Sequence, residues 1–458
     1  MPEVAAQHPL DLVIAAETSA AVWHSTTVSG AKILDDLTAR GLVQDATNLD
    51  ALRARLEEGP ITVYAGFDPT ADSLHVGNLI GLLTLRRFQL AGHRPIALAG
   101  GATGMIGDPG GKSEERNLIT DDQLAANLEG IVPQLRQFLD FDAGPSQARL
   151  IDNRSWTVAM SAIDFLRDVG KHVTVNQMMA KESVKGRLAG GGGISFTEFS
   201  YMLLQANDFV NLHELEGCEL QVGGSDQWGN ISLGVDLVRR RRGKPAHGLT
   251  WPLLTRADGS KYGKTAGGET MWLSAERLSA YRFYQGWVST DDGEVRRLLA
   301  QLTLLSLEDI DAIVQAHEQA PQQRRAQQRL ARELTEIVHG EDAAATAEAA
   351  SEVLFGRDLG EVTPEALETL VDEVPTLTIT GDDLGDGLDP VDLLARTDLA
   401  KSKGEARRIL NQNGFSLNNV RLAPDRKIEV ADLLVGRYLL LRRGKSTHQL
   451  VVIARDGR

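Results

Sequence analysis

The sequence predicts an α/β protein: a parallel-sheet body, then an all-helical region, then a small α+β domain. Three observations point there. I-T-V-Y-A-G-F-D (61–68), an apolar run ending at Gly92, and P-I-A-L-A-G-G (95–101) read as strand, helix and strand within some forty residues. Residues 275–355 are rich in Leu, Ala, Gln, Arg and Glu, a helical composition. Residues 389–458 mix short helical and strand patterns behind a reversal of charge.

Taken in order, residues 1–30 show no sustained period and are rich in Ala, Ser and Thr, which predicts a loose, disordered N-terminal extension. Residues 31–58 predict a helix with Ile33, Leu34, Leu37 and Leu42 as its apolar stripe. The strand at 61–68 comes next, then a helix over 79–92 stopped by Gly92, then the second strand. Such a unit implies a parallel sheet with a right-handed crossover. Ligands of these sheets gather at the carboxyl ends of the strands, here residues 67–78 and 100–116. Helical patterns run from about 158 to 242 and are broken by A-G-G-G-G-I (189–194), whose four glycines predict a mobile loop. L-Q-V-G-G-S-D-Q-W-G-N (220–230) repeats the passage of an apolar strand into glycines and polar groups. Near the end, 404–410 predicts a short helix, and 438–441 and 449–453 predict strands. The expected division is an extension (1–30), a sheet body (31–250), a basic loop with a helical domain (251–345), an acidic linker (346–388) and a terminal domain (389–458).

Net charge is −15, yet residues 391–458 carry 14 Lys/Arg against 7 Asp/Glu. Residues 341–388 hold 13 Asp/Glu opposed only by Arg357. A basic end behind an acidic connector fits an appended nucleic-acid module, and a solvated charge gradient would look the same. Hydrophobic residues at 42% and charged residues at 24% are ordinary for a soluble globular chain. No apolar run approaches the roughly 20 residues that span a bilayer. The single Cys218 excludes an intrachain disulfide and leaves no cysteine cluster for zinc. The start, M-P-E-V-A-A-Q-H-P-L, lacks a basic secretory n-region, so the expected location is cytoplasmic.

Three stretches carry candidate chemistry. In D-P-T-A-D-S-L-H-V-G-N-L-I-G-L (68–82), Asp68 ends a strand, Pro69 turns the chain and Ser73 is the expected helix cap. His75, Gly77 and Asn78 then fall in the first turn, where unpaired N–H groups attract anions, and Gly77 leaves room for a base or phosphate. A capped helix with a surface histidine reads the same way. S-K-Y-G-K-T (260–265) sets Lys261 and Lys264 three apart around a glycine, with the Thr265 hydroxyl behind them, a loop able to hold polyphosphate or a plain basic turn. It is not a P-loop, since no G-x-x-x-x-G-K-[ST] precedes a helix. G-G-A-T-G-M-I-G-D-P-G-G-K-S-E-E-R (100–116) gathers six glycines around Asp108, with Lys112 and Arg116 behind, as a pocket wall or a surface turn.

Together these blocks resemble a family. H-V-G-N followed by K-Y-G-K-T is similar to the paired signatures of class I aminoacyl-tRNA synthetases. Y-A-G-F-D-P-T-A-D-S-L-H-V-G-N, G-D-P-G-G-K, I-S-F-T-E-F-S-Y-M-L-L-Q-A-N-D-F and Q-V-G-G-S-D-Q-W-G-N, in that order, resemble the bacterial-type tyrosyl-tRNA synthetases from about residue 31 onward. Asn78 departs from the pattern, standing where the first signature has a second histidine.

The resemblance implies a Rossmann-like catalytic domain, a helical anticodon-side domain and a small RNA-binding domain like that of a ribosomal protein. It implies activation of L-tyrosine by ATP with Mg²⁺, then transfer to tRNA(Tyr), by a homodimer with no metal of its own. Tyr64 and Asp208 would hold the substrate phenol, and Asp108, Tyr201 and Gln205 its ammonium, with Gln227 near the carboxyl. Thr70, His75 and Asn78 would meet the ATP phosphates, joined by Lys112, Arg116, Lys261, Lys264 and Thr265. Asp68, Gly77, Gly223 and Asp226 would line the nucleotide, with Asp226 on the ribose. Lys401, Lys403, Arg407 and Arg408 would meet tRNA phosphates, whereas R-R-R-R (239–242) either complements a helix end or touches an acceptor stem. The pairing of Tyr64 with Asp208 argues against the related tryptophanyl enzymes. The joint presence of His75, Lys261, Lys264, Asp108 and Asp226 argues against an RNA-binding relative without activation chemistry.

Overall fold

Strand β2 (Thr62–Phe67) is buried at every position except Gly66, as expected of an apolar run at the centre of a parallel sheet. The computed structural model describes residues 30–109, 118–189, 193–256, 259, 262–263, 268–356, 359, 362–385, 387–444 and 447–454. Lys112, Arg116, Lys261, Lys264 and Thr265 lie outside the described residues, as do the extension up to residue 29 and glycines 190–192.

Around β2 the sheet contains β1 (Asp45–Ala46), β3 (Arg94–Ala99), β4 (Arg149–Asp152), β5 (Cys218–Gly224) and β6 (His247–Trp251) in the order β1-β6-β5-β2-β3-β4. Strands β2 to β6 pair in parallel, and β1 is antiparallel to β6. The chain runs outward from β2 through β3 to β4, then returns to place β5 on the other side of β2. The strand order therefore reverses between β2 and β5, which is where ligands of such sheets bind.

The single helix expected over 31–58 is two: α1 (Ile33–Ala39) and α2 (Leu49–Glu57), with β1 between them. Gly41 at φ 69 breaks the run, and Asn48 restarts it by accepting a hydrogen bond from the Ala51 N–H. Helix α3 (Val76–Leu90) crosses from β2 to β3. The long helix Phe196–Glu216 is capped by Ser195 and ended by Gly217 at φ 63. It packs Met202, Leu203, Ala206, Phe209 and Val210 into one core with Tyr64, Ile96 and Leu98 of the sheet.

The chain divides into two compact units, residues 1–278 with 290–330, and residues 279–289 with 331–458. In the second unit the acidic stretch expected as a linker is folded. Helices Glu341–Phe355 and Pro364–Val371 bury Ala344, Ala347, Val353, Leu367 and Leu370, while most of their carboxylates lie outward. Strand β7 (Thr376–Ile379) then pairs in parallel with β11 (Thr447–Ile453), inside the sheet β7-β11-β10-β8-β9. That sheet is completed by β8 (Phe415–Leu417), β9 (Val420–Arg421) and β10 (Tyr438–Arg443). Helix Lys403–Asn411, capped by Ser402, buries Ala406, Ile409 and Leu410 and leaves Arg407 and Arg408 exposed.

Candidate active site

Beyond the carboxyl end of β2 a chain of buried and half-buried polar groups links helix Phe196–Glu216 to the segments that follow β2, β3 and β4. Tyr201, Gln205 and Asp208 share a face of helix Phe196–Glu216 by their i, i+4, i+7 spacing. The Tyr201 hydroxyl donates to Asp68 Oδ2 at 2.7 Å, and Thr103 Oγ1 donates to Asp68 Oδ1 at 2.7 Å. Asn153 Nδ2 donates to both Thr103 Oγ1 and Asp208 Oδ2 at 3.0 Å, and its Oδ1 accepts from the Ala102 N–H. Trp156 Nε1 completes the chain by donating to Asp208 Oδ1 at 2.8 Å. Gly100 lets the chain pass: a Cβ there would stand 2.0 Å from Asp68 Oδ1.

Burial dominates the electrostatics. It raises the Asp208 carboxyl to about 7, against the pull of the Asn153 and Trp156 donors and with help from Asp68 and Asp152. It also raises the phenols of Tyr64 and Tyr201 well above their usual value, with nearby carboxylates adding to the effect. The Tyr64 ring lies 5.3 Å from that of Phe209, and its hydroxyl has no hydrogen-bond partner among the described residues. An unpartnered buried hydroxyl is costly in a folded protein, so this one, on the central strand β2, is a candidate contact for a polar ligand atom.

A second network lies at the end of β5. Gln227 Nε2 donates to Asp108 Oδ2 at 2.5 Å, and Asn230 Nδ2 donates to Gln205 Oε1 at 3.0 Å and to Gln227 Oε1 at 3.2 Å. Asp226 sits in the same turn, Ser225–Gln227. Gly223 keeps β5 close to the helix that follows, since a Cβ there would meet Ile231 at 3.0 Å. Asp68, Tyr201 and Asp208 are thus held in the first network and Asp108, Gln205 and Gln227 in the second, while Tyr64 packs on Phe209. Thr70 is exposed beside them, its N–H on the Asp68 carbonyl at 2.8 Å.

The start of α3 differs from expectation in two respects. Ser73 is not the cap: its hydroxyl donates to the Leu74 carbonyl. His75 is the cap, its Nδ1 accepting from the Gly77 N–H at 3.0 Å while Asn78 Oδ1 accepts from the His75 N–H at 3.1 Å. An acceptor at Nδ1 places the ring proton on Nε2. Nor does Gly77 clear space for a base or phosphate. The His75 ring itself fills that space, and a Cβ at 77 would lie 2.7 Å from its Cε1.

The described residues flanking the second signature are joined to the first. Met271 N–H donates to the Gly263 carbonyl at 2.9 Å, and Val76 N–H to the Met271 carbonyl at 3.0 Å. Tyr262 is buried, with its hydroxyl 2.9 Å from Thr290 Oγ1.

Elsewhere, Lys401, Lys403, Arg407 and Arg408 are all exposed, with Lys403 2.7 Å from Asp392. The four arginines at 239–242 are engaged within the protein: Arg239 and Arg240 with Asp236, Arg241 with Asn207 and Arg242 with Glu214. Among the described residues no three His, Cys, Asp or Glu side chains converge as metal ligands. Thr103, Asn153, Trp156 and Asn230 escaped the sequence reading. The signal for two of them was L-I-D-N-R-S-W (150–156), another apolar strand running into polar groups at its carboxyl end.

A family model described as tRNA synthetases class I (W and Y) matches residues 56–356. A second, described as a tyrosine–tRNA ligase SYY-like C-terminal domain, matches residues 366–451. The chain is 53% identical over 423 residues to a tyrosine–tRNA ligase of Opitutus terrae, covering 92% of this chain and 99% of that one. It is 52% identical over 414 residues to the Mycobacterium tuberculosis tyrosine–tRNA ligase, covering 90% and 97%. Among solved structures, a C-terminally truncated mitochondrial tyrosyl-tRNA synthetase of Aspergillus nidulans aligns with a TM-score of 0.65 at 31% identity, over 70% of this chain and 94% of that one.

Proposed function

The chain belongs to the class I tRNA synthetases of the tyrosine and tryptophan branch, as a tyrosine–tRNA ligase, and from that premise we propose how its residues divide the work. The reaction has two steps. A tyrosine carboxylate oxygen attacks the α-phosphorus of ATP, the bond to the bridging oxygen breaks, and pyrophosphate leaves tyrosyl-adenylate behind. A ribose hydroxyl at the 3′ end of tRNA(Tyr) then attacks the acyl carbon and AMP leaves. Neither step needs a covalent enzyme intermediate, so the protein's task is positioning and charge stabilisation.

One observation carries the assignment: the partnerless Tyr64 hydroxyl lies in the field of buried Asp208, whose remaining donors are already placed. A substrate phenol between them accepts from Tyr64 and donates to Asp208. Phenylalanine would leave both groups unpaired, and selection of tyrosine over phenylalanine is the standing example of that asymmetry in this enzyme class. Asp108, Tyr201 and Gln205 take the ammonium. Asp68, aligned by Tyr201 and Thr103, faces the adenylate with Gly223, Asp226 takes the ribose, and Gln227 lies near the reacting carboxyl. His75 presents Nε2–H to the phosphate end of ATP, alongside Thr70 and the cations Lys112, Arg116, Lys261 and Lys264, with Thr265. Asn78 acts there through the cap. ATP enters as its Mg²⁺ complex, the ion being carried by the phosphates.

Lys401, Lys403, Arg407 and Arg408 anchor tRNA phosphates on the exposed face of helix Lys403–Asn411. The chain works as a cytoplasmic homodimer. Supporting the dimer, one stretch of chain exposes Val158, Ile163, Leu166, Val175 and Phe196, the last at 74%. Tyrosine-, tryptophan- and phenylalanine-dependent ATP–pyrophosphate exchange tests the site. Exchange driven by tyrosine alone is expected, whereas equal exchange with phenylalanine would remove the phenol contacts from the assignment.

A further inference from the structure

We propose that Trp272 is a positioning residue for His75 and that Arg277 holds Trp272 in that role; the proposal rests on the reading of His75 as an ATP phosphate contact. The two segments are laced together along their length. His75 and Trp272 face each other across an antiparallel bridge. Leu273 N–H donates to the Leu74 carbonyl at 2.8 Å, and Ser274 N–H to Ser73 Oγ at 3.1 Å. At the outer end Arg277 forms an ion pair with Asp72, whose carbonyl is packed so closely on the helix Asp121–Phe138 that a Cβ at Gly130 would stand 2.0 Å from it.

Within this lacing three side chains form a row. The Arg277 guanidinium lies 4.8 Å from the centroid of the Trp272 ring, and that ring lies 6.3 Å from the imidazole at 50°. The first is a cation–π contact and the second a tilted aromatic contact at ordinary range. Gly77 already holds one edge of the imidazole through Nδ1. Trp272 approaches the ring from a different element, so together they restrict rotation about both side-chain bonds of His75. Nε2–H is thereby kept aimed before ATP arrives, which lowers the ordering cost of the transition state.

The test is steady-state ATP–pyrophosphate exchange on the full chain with Trp272→Leu, His75→Ala and the double variant. Trp272→Leu is expected to lower kcat about tenfold, as a displacement of a reacting contact does, with KM for tyrosine unchanged because the phenol site is untouched. In the His75→Ala background the same substitution is expected to change kcat by less than about twofold, since it acts through His75. Arg277→Met, a milder change at a half-exposed position, is expected to lower kcat about threefold with the same dependence on His75, and it carries the test if Trp272→Leu does not fold. An unchanged kcat, an equal loss without His75, or a parallel rise in KM for tyrosine would each overturn the proposal. Absence of tyrosine-dependent exchange in the parent chain would overturn the underlying reading as well, so the two failures are told apart.

Discussion

Lowering the pH from 8 to 6 is expected to weaken tyrosine binding about tenfold, because the phenol needs an ionised Asp208 and burial makes that ionisation late. The group is 2% exposed, and its pKa is raised from 3.8 to about 7 by burial. Both of its oxygens accept N–H donors, Asn153 on one and Trp156 on the other, an environment made for the anion. The substrate phenol O–H is a third donor to the same anion. With a pKa near 7, about nine-tenths of the sites are ionised at pH 8 and about one-tenth at pH 6, and apparent affinity scales with that fraction.

The effect on stability is opposite to that of a salt-bridged carboxylate. Because the folded pKa lies above the unfolded one, the contribution of Asp208 is fully present below about pH 4 and is lost as pH rises through about 7. Holding the carboxylate ionised in this burial therefore costs the ligand-free site about 4 kcal/mol above neutrality. Tyrosine relieves part of that cost, so the rise in Tm on adding tyrosine is expected to be larger at pH 8 than at pH 6. Titration calorimetry of tyrosine without ATP, from pH 6 to 8.5, measures the affinity directly. Asp208→Asn is the control, binding weakly with a flat profile. A flat profile in the parent protein, or binding that tightens as pH falls, would refute the reasoning and make Asp208 a protonated donor.

Tyr64→Phe is expected to leave the Tm of the ligand-free protein equal or higher, since an unpartnered buried hydroxyl costs about 1–3 kcal/mol. The same variant is expected to raise KM for tyrosine about five- to tenfold by removing a donor to the phenol oxygen; a lower Tm with unchanged KM would mean that the hydroxyl serves the fold. A chain ending at Gly356 is expected to retain tyrosine-dependent exchange and to lose tRNA charging, as measured by aminoacylation. The cut belongs there and not at residue 389, because β7 at Thr376–Ile379 pairs with β11 and would be stranded by a later cut.

Much of this was legible in the sequence because it is local. The passage from β2 through α3 to β3 follows from an apolar strand, an apolar helix and Gly92. The common face of Tyr201, Gln205 and Asp208 follows from helical spacing alone. What the sequence could not display is which of these groups meet. Tyr201 bonds to Asp68 across 133 residues, and Asp208 takes a donor from Asn153 across 55. Those pairings exist because β2, β3 and β4 lie side by side and deliver Asp68, Gly100 and Asn153 to one end of the sheet. Strand β4 has only four residues, R-L-I-D, too short for its alternation to register, and Asn153 and Trp156 were hidden with it. The acidic stretch misled for a different reason: charge dominated its composition while its apolar residues kept a helical period.

Asn78 shows how far the first signature is a folding device before it is a chemical one. Three of its four letters are explained by how α3 begins. His75 supplies an acceptor for the Gly77 N–H, Gly77 has no Cβ to collide with the imidazole, and Asn78 supplies an acceptor for the His75 N–H. A second histidine at 78 would have to provide that last acceptor from a ring nitrogen, whereas the asparagine carbonyl provides it from a shorter side chain. The departure from the family pattern therefore falls on a position whose contact in this chain is to backbone, and it leaves the aim of Nε2–H to Gly77 and Trp272. That separates the two signature positions physically: loss at 78 should appear as a frayed helix start alone, whereas loss at 75 removes a cap and the Nε2–H donor together and should also slow the transfer of the adenylyl group.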